Sequence, residues 1–325
     1  MILLKASGIS KEGTNGSILH NISFSLHKHR KIAIAGETGS GKSTLFKIIA
    51  GLIRPDTGEI IFENSPVTDY DALVPGTPGI AYLSQDFALS RSLRVEQILE
   101  YSNQRPVTEA TQLYKICRIS HLMKRRTNEL SGGERQRIAI AQLLTTSPRL
   151  FLLDEPYSNL DRVHKVLLKS VIDDIGTRLG ITCMLISHEP EDLLPWADTI
   201  LILKGGKLVQ KGTPKGIYNT PRTAYVAGLL GRYTVVERTS AWCPPELTHL
   251  SGKSKWYARP ENISVLAEGK GEGTVKRILF LGDHYAIEIA ADGQTVIAKS
   301  KHGNYEIGTK IRFGVTQVPG ITGPF

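Results

Sequence analysis

Nine consecutive residues, Gly36-Glu37-Thr38-Gly39-Ser40-Gly41-Lys42-Ser43-Thr44, restrict what this chain can fold into more than any other stretch. An apolar run from Lys31 to Ala35 precedes them and reads as a buried strand, and Leu45 to Ala50 follows with apolar residues at helical spacing. Gly36, Gly39 and Gly41 allow positive φ, so successive backbone N–H groups can turn inward. Those amides, with the positive end of the next helix, form an anion cradle. In a strand, loop and helix of this kind the Lys42 ammonium reaches the β- and γ-phosphates and the Ser43 hydroxyl can ligate Mg²⁺. The stretch predicts an α/β P-loop fold with a nucleoside-triphosphate site.

Three further stretches fit such a site. Leu150 to Leu153 is a wholly apolar strand that delivers Asp154 and Glu155 at its end. One carboxylate suits Mg²⁺ and the other can position an attacking water. Ile181 to Ile186 is a second apolar strand, ending in Ser187-His188. A histidine there can reach a γ-phosphate, and it can equally be structural. Leu130-Ser131-Gly132-Gly133-Glu134 opens a helix whose apolar face carries Ile138, Ala141 and Leu144. Ser131 suits the N-cap. Two glycines in a first turn weaken a helix, but they suit amides that must come close to an anion.

The 325 residues allow two domains, and 41% apolar with 22% charged residues is ordinary for globular proteins. No apolar run approaches the ~20 residues of a membrane span. Met1 to Leu4 is too short for a secretory leader. Cys117, Cys183 and Cys243 lie far apart, without metal-type pairing, which fits a reducing compartment. A soluble, cytoplasmic chain is the expectation. The net charge of +9 fits either a generally basic surface or attraction to an anionic membrane face or nucleic acid. The cluster Lys124-Arg125-Arg126 reads as a solvated helix end.

Along the chain, Ile22, Phe24 and Leu26 alternate with polar residues as on a half-buried strand. A loop is expected from Pro66 to Pro78, a short strand from Gly79 to Leu83 before Ser84-Gln85, and helical periodicity from Leu93 to about Ser120. Gly205-Gly206 marks a hairpin, and short helical stretches follow near 213–219 and 223–230. From Tyr233 onward only short alternating runs remain, separated by turn residues, as in a small all-β barrel or sandwich. The change of character puts a domain boundary near 232, giving domains 1–232, with a helical insert over about 90–145, and 233–325.

Together these stretches resemble the ATP-binding subunit of an ABC transporter over residues 1 to about 230. Residues 36–44 look like its Walker A and Gln85 like its Q-loop. Residues 130–134 look like its signature motif and 151–156 like its Walker B. Ser158-Asn159-Leu160-Asp161 looks like the D-loop and His188 like the switch histidine. The resemblance implies an ATPase using ATP and Mg²⁺, with two copies enclosing two nucleotides head to tail. Each nucleotide would sit on residues 36–44 of one copy, beneath Ser131, Gly132 and Gly133 of the other, with Asp161 nearby. Glu155 would polarise the water, His188 would hold it and the γ-phosphate in line, and Lys42 and Gln85 would complete the catalytic set. Ser43, Gln85 and Asp154 would hold the metal.

Arg259-Pro260-Glu261-Asn262-Ile263 and Gly273-Thr274-Val275 with Phe280-Leu281-Gly282-Asp283 are similar to the TOBE-type, OB-like β domain of importers for sugars, polyamines, ferric iron and oxyanions. In such relatives it serves dimer contacts or regulation. The implied function is the ATPase subunit of an importer on the cytoplasmic face of the membrane. Its partners would be integral permeases and a separate solute-binding protein, with no nucleic acid expected. An export ATPase, or a soluble ABC ATPase acting on nucleic acid or ribosomes, are the alternatives. The transported solute is not encoded in this chain.

Two departures stand out. The family usually stacks an aromatic residue near the first turn on adenine, whereas this chain has Ile9-Ser10-Lys11-Glu12-Gly13 and no aromatic before Phe24, itself in phase with the core. Weak base discrimination is the expectation. Glu134 also stands where relatives often have Gln.

Overall fold

The computed structural model describes residues 1–14, 16–68, 70, 76–90, 92–244 and 255–316. Residues 69 and 71–75 of the loop expected between Pro66 and Pro78 lie outside them. By contacts the chain divides into two units, Met1–Pro214 and Lys215–Phe325. The short helices near 214–230 thus group with the β-rich C-terminal part, although the sequence changes character near 232.

The first unit begins with an antiparallel hairpin, β1 (Ile2–Gly13) and β2 (Gly16–His27). Next come β3 (Ile32–Ala35), α1 (Lys42–Ile49), β4 (Thr57–Phe62), β5 (Ser65–Pro66) and β6 (Ile80–Leu83). A helical stretch follows with α2 (Val95–Ser102), α3 (Val107–Ile116) and α4 (Gly132–Leu144). The unit closes with β7 (Leu150–Asp154), α5 (Arg162–Arg178), β8 (Thr182–Ile186), α6 (Pro190–Leu193), β9 (Thr199–Lys204) and β10 (Lys207–Gly212).

These strands form two sheets, β2-β1-β4-β5 and β10-β9-β3-β8-β7-β6. In the second sheet all neighbours are parallel except β9 and β10. Every residue of β3, β7 and β8 is buried, which explains their unbroken apolar runs, since a parallel sheet is covered on both faces. The core joins Ile22, Phe24 and Leu26 of β2 to Phe46 and Ile49 of α1 and to Leu152 and Ile186 of the parallel sheet. The alternation read in β2 is therefore its inward face. The helical periodicity after Leu93 resolves into two helices, because Pro106 supplies no backbone N–H and has to stand at the cap of α3.

Parallel order has a functional consequence. Ile34 pairs with Ile186, Asp154 with Ile186, and Leu83 with Leu153. The residues that follow, Gly36, Ser187, Glu155 and Ser84, therefore emerge at one carboxyl edge of the sheet, where open α/β folds bind ligands.

The second unit contains α7 (Pro214–Asn219), α8 (Ala224–Leu229), the pair β11 (Thr234–Glu237) and β12 (Lys255–Ala258), and then β13 (Ile263–Val265), β14 (Gly271–Phe280), β15 (Tyr285–Ala291), β16 (Gln294–Ser300) and β17 (Lys310–Val315). The last five form an antiparallel sheet in the order β13-β17-β14-β15-β16. Its edge strands β13 and β16 pack against each other, so the sheet is nearly a closed barrel. Trp242, Ile263, Ile287, Val296 and Phe313 fill its interior. The Arg259 side chain, 1% exposed, donates to the carbonyls of Tyr218 (3.0 Å), Ala227 (2.9 Å), Gly231 (3.1 Å) and Arg232 (3.2 Å). Its guanidinium lies 4.1 Å from the Tyr218 ring centroid. That one side chain fastens α7 and α8 to the barrel.

Candidate active site

The phosphate loop takes the backbone shape its glycines permit. Gly39 and Gly41 are left-handed, with φ of 81° and 92°. A Cβ on Gly41 would lie 2.6 Å from Leu19 Cδ2 and 2.8 Å from the Ile18 carbonyl, so space as well as φ demands glycine. Glu37, Thr38 and Gly39 form an exposed crown, Ser40 is buried, Ser43 is exposed and Thr44 half-buried. Lys42, only 7% exposed, bends back to donate to the Gly36 carbonyl (2.9 Å) and the Glu37 carbonyl (2.8 Å). Burial pulls its pKa down, opposed by the nearby charges of Glu155, Asp154 and Glu37. The ammonium thus stands over the loop with carbonyls as its present partners, at the place the sequence reserves for phosphate.

Asp154 ends β7 and is 2% exposed. Its Oδ2 accepts a 2.9 Å hydrogen bond from the Tyr82 hydroxyl on the adjacent strand β6. Its Oδ1 is buried without a well-aligned partner among the described residues. Burial pushes this carboxyl above its ordinary pKa, against the approach of the Ser43 hydroxyl, the Tyr82 bond and the Lys42 charge, while Glu155 adds to the rise. A buried carboxylate oxygen left open beside a serine hydroxyl is the donor set a hard divalent cation prefers. The residues fit Mg²⁺.

Glu155 follows in a left-handed conformation, φ 47°. Its N–H donates to the Ile186 carbonyl (3.1 Å), and its own carbonyl accepts from the Ser158 N–H (3.1 Å) and hydroxyl (2.8 Å). This tight turn brings Glu155 Oε2 to 3.4 Å from His188 Nδ1. Both lie at the carboxyl edge beside Lys42 and Asp154. Sequence reasoning named all four; it missed Tyr82, whose only sequence signal is its place in the strand leading to Gln85.

The other expected residues are held by different features. Ser131 caps α4 in a reciprocal box: its Oγ accepts from Glu134 N (3.3 Å), and its N–H donates to Glu134 Oε2 (2.8 Å). A Cβ on Gly132 would meet only open space, whereas one on Gly133 would press on the His164 ring at 2.8 Å. Gly133 therefore has a packing reason within the chain, and Gly132 keeps the open approach that the sequence suggested for both. Asp161 caps α5, accepting from His164 N (2.9 Å) and contacting His164 Nδ1 (2.7 Å). Those bonds hold its pKa below the usual carboxylate range. Gln85 lines a cleft of about 480 Å³ with Leu89, Gly132, Gln136, Ser158 and Asn159. Lys42, Ser43, Asp154, Glu155 and His188 are not among the residues lining it. Gln136 Nε2 also donates to the Pro156 carbonyl, joining α4 to the turn after Glu155.

Residues 19–158 match the ABC transporter family, and residues 258–317 match the TOBE domain. The chain is similar to MJ1267, an ATP-binding cassette of an ABC transporter solved in its ADP conformation. The two are 24% identical with a TM-score of 0.60, covering 70% of this chain and 98% of that one. It is also similar to cbiO1 from Clostridium perfringens, part of the ABC transporter complex cbiONQ, at 26% identity and a TM-score of 0.58 over 67% of this chain and 90% of that one. A third similar structure is the dimeric, post-hydrolysis form of the ATP-binding cassette MJ0796 with ADP and Pi, at 24% identity and a TM-score of 0.56 over 65% and 99%. With a phosphate loop, a carboxylate pair and a strand-end histidine meeting at one sheet edge, the chain carries an ABC transporter ATPase domain followed by a TOBE domain.

Proposed function

We propose that this chain is the ATP-hydrolysing subunit of an ABC importer, working with integral permease partners to energise uptake of a small solute. The observation that carries the hydrolytic part is the pairing of Glu155 Oε2 with His188 Nδ1 at 3.4 Å, beside Lys42 and the open oxygen of Asp154. The TOBE domain favours import. That cbiO1 is part of a transporter complex supports permease partners. Among the described residues no helix is long and apolar enough to cross a membrane, which suits a subunit attached through its partners at the cytoplasmic face.

In this reading residues 36–44 bind the triphosphate, and the Lys42 ammonium turns from the loop carbonyls to the β- and γ-phosphate oxygens. Mg²⁺, held by Ser43, Asp154 and Gln85, would neutralise charge on those oxygens. Among the described residues no cluster of three or more acidic, His or Cys side chains could hold a metal. Glu155 orients a water for in-line attack on the γ-phosphorus and draws off its proton as the bond to the ADP oxygen breaks. His188 keeps water and phosphate aligned. Catalysis is then mainly positioning and charge stabilisation. The open start of α4 at Ser131 and Gly132 caps the nucleotide of a second copy, near Asp161. A separate protein binds the solute and delivers it to the permeases.

The test is Glu155→Gln, purified from detergent-solubilised native membranes with ATP and Mg²⁺ and analysed by mass spectrometry. Co-purifying permease subunits support the importer reading, and their type narrows the solute class. Recovery from the soluble fraction alone, with RNA or soluble proteins, would sink it.

A further inference from the structure

The loop from Ser187 to Asp192 is anchored by a charge cluster around one buried carboxylate. Asp192 is 2% exposed. Its Oδ2 accepts a 2.9 Å hydrogen bond from the Ser187 hydroxyl, and that hydroxyl accepts the Glu189 N–H at 3.1 Å. The two bonds bracket His188 on either side. Asp192 Oδ1 faces two ammonium groups of α5, Lys165 Nζ at 2.9 Å and Lys169 Nζ at 2.8 Å, and Lys165 also pairs with Glu189. The Tyr157 ring, two residues after Glu155, lies near both lysines, its centroid 6.0 and 5.6 Å from the ammonium nitrogens.

The His188 side chain itself is 57% exposed, and its ionic contact is the 3.4 Å approach to Glu155. An exposed imidazole with so little packing takes its direction from the backbone that carries it. Burying a carboxylate among cations is a poor route to stability, because desolvation offsets much of the attraction. What such a cluster does supply is fixed geometry: directed hydrogen bonds tie Asp192 Oδ2, the Ser187 hydroxyl and the Glu189 N–H together, while Oδ1 is held by the two ammonium charges without an aligned hydrogen bond among the described residues. We propose that Ser187 and Asp192 are positioning residues for His188, with Lys165 and Lys169 locking Asp192 from α5. The proposal rests on the reading of the chain as an ATPase in which Glu155 and His188 serve the water and the γ-phosphate.

Ser187→Ala removes one small hydroxyl and leaves the ion cluster intact, so it tests position more than folding. In the full chain it is expected to lower kcat for ATP about tenfold with KM held within about twofold, the pattern of a group that acts in the transition state. Ser187→Thr keeps the hydroxyl and restores kcat. Asp192→Asn, which keeps an acceptor and loses the charge, falls between them. The imidazole ¹⁵N signal of His188, assigned by its loss in His188→Ala, should shift in Ser187→Ala and return in Ser187→Thr. An unmoved His188 signal, equal losses in Ala and Thr, or a change in KM alone would overturn the proposal. If the native chain does not turn over ATP, the functional reading fails on that result, and the His188 signal still decides whether Ser187 fixes the imidazole.

Discussion

Tyr82 and Asp154 meet across neighbouring parallel strands, the phenol donating a 2.9 Å hydrogen bond to the buried carboxylate. The bond fixes one oxygen of Asp154 and turns the open one toward Ser43. Partners of this kind orient a ligating carboxylate, and their loss typically costs about 10–100-fold in metal affinity. Tyr82→Phe is therefore expected to raise the Mg²⁺ concentration for half-maximal ATP turnover by about tenfold. A titration of turnover against Mg²⁺ at saturating ATP checks this.

Glu155 holds a left-handed backbone that glycine would adopt without strain. Glu155→Gly should exceed Glu155→Ala in stability by about 1 kcal/mol, read from the denaturant midpoint. Both should lose at least about a hundredfold in turnover, because the group proposed to take the proton is gone. The side chain proposed as catalytic sits where stability alone would choose glycine.

Asp154 gives a pH signature. Its folded pKa is raised, chiefly by burial, so the native state holds this proton more tightly than the unfolded chain. Its contribution to stability therefore improves as pH falls from neutral through the raised value, and levels off below the ordinary value of 3.8. Asp154→Asn, measured without nucleotide or metal, should melt higher than the native chain at neutral pH, and the gap should close toward pH 4. A gap independent of pH would count against a buried, under-partnered carboxylate.

The cap of α4 tolerates the Glu134 departure, because glutamine can return the same bond to the Ser131 N–H. Glu134→Gln should change unfolding free energy by less than about 0.5 kcal/mol, whereas Ser131→Ala should cost about 1 kcal/mol. Chemical denaturation of the two variants beside the native chain is the measurement.

With no aromatic before Phe24, the first turn offers the nucleotide base no stacking partner of the kind worth about 1–3 kcal/mol where bases stack on aromatic side chains. GTP should support turnover within about tenfold of ATP, since the phosphates supply most of the recognition. A strong preference for ATP in paired kinetic measurements would refute this.

The parts written in short range could be read from sequence. Strands β3, β7 and β8 carry unbroken apolar runs, and the residues proposed for the chemistry follow them: Gly36, Glu155 and His188. Long-range partners could not. Nothing around Gly133 announces His164, nothing around His188 announces Lys165 and Lys169, and Tyr82 reads as any strand aromatic until β6 is laid beside β7. Asp161 was expected at the nucleotide because of its motif, and its visible work is to cap α5. The paired glycines at 132 and 133 were given one reason, and the fold separates them into two.

Arg259 also decides where the chain can be cut. A fragment ending near residue 231 would carry off the carbonyls of Tyr218, Ala227 and Gly231, and would leave a guanidinium in the severed barrel without most of its acceptors. The cassette alone would gain two short helices whose anchor had gone. A break placed at Thr213 keeps the arginine and its acceptors on one side, so the two halves made for separate expression should begin and end there.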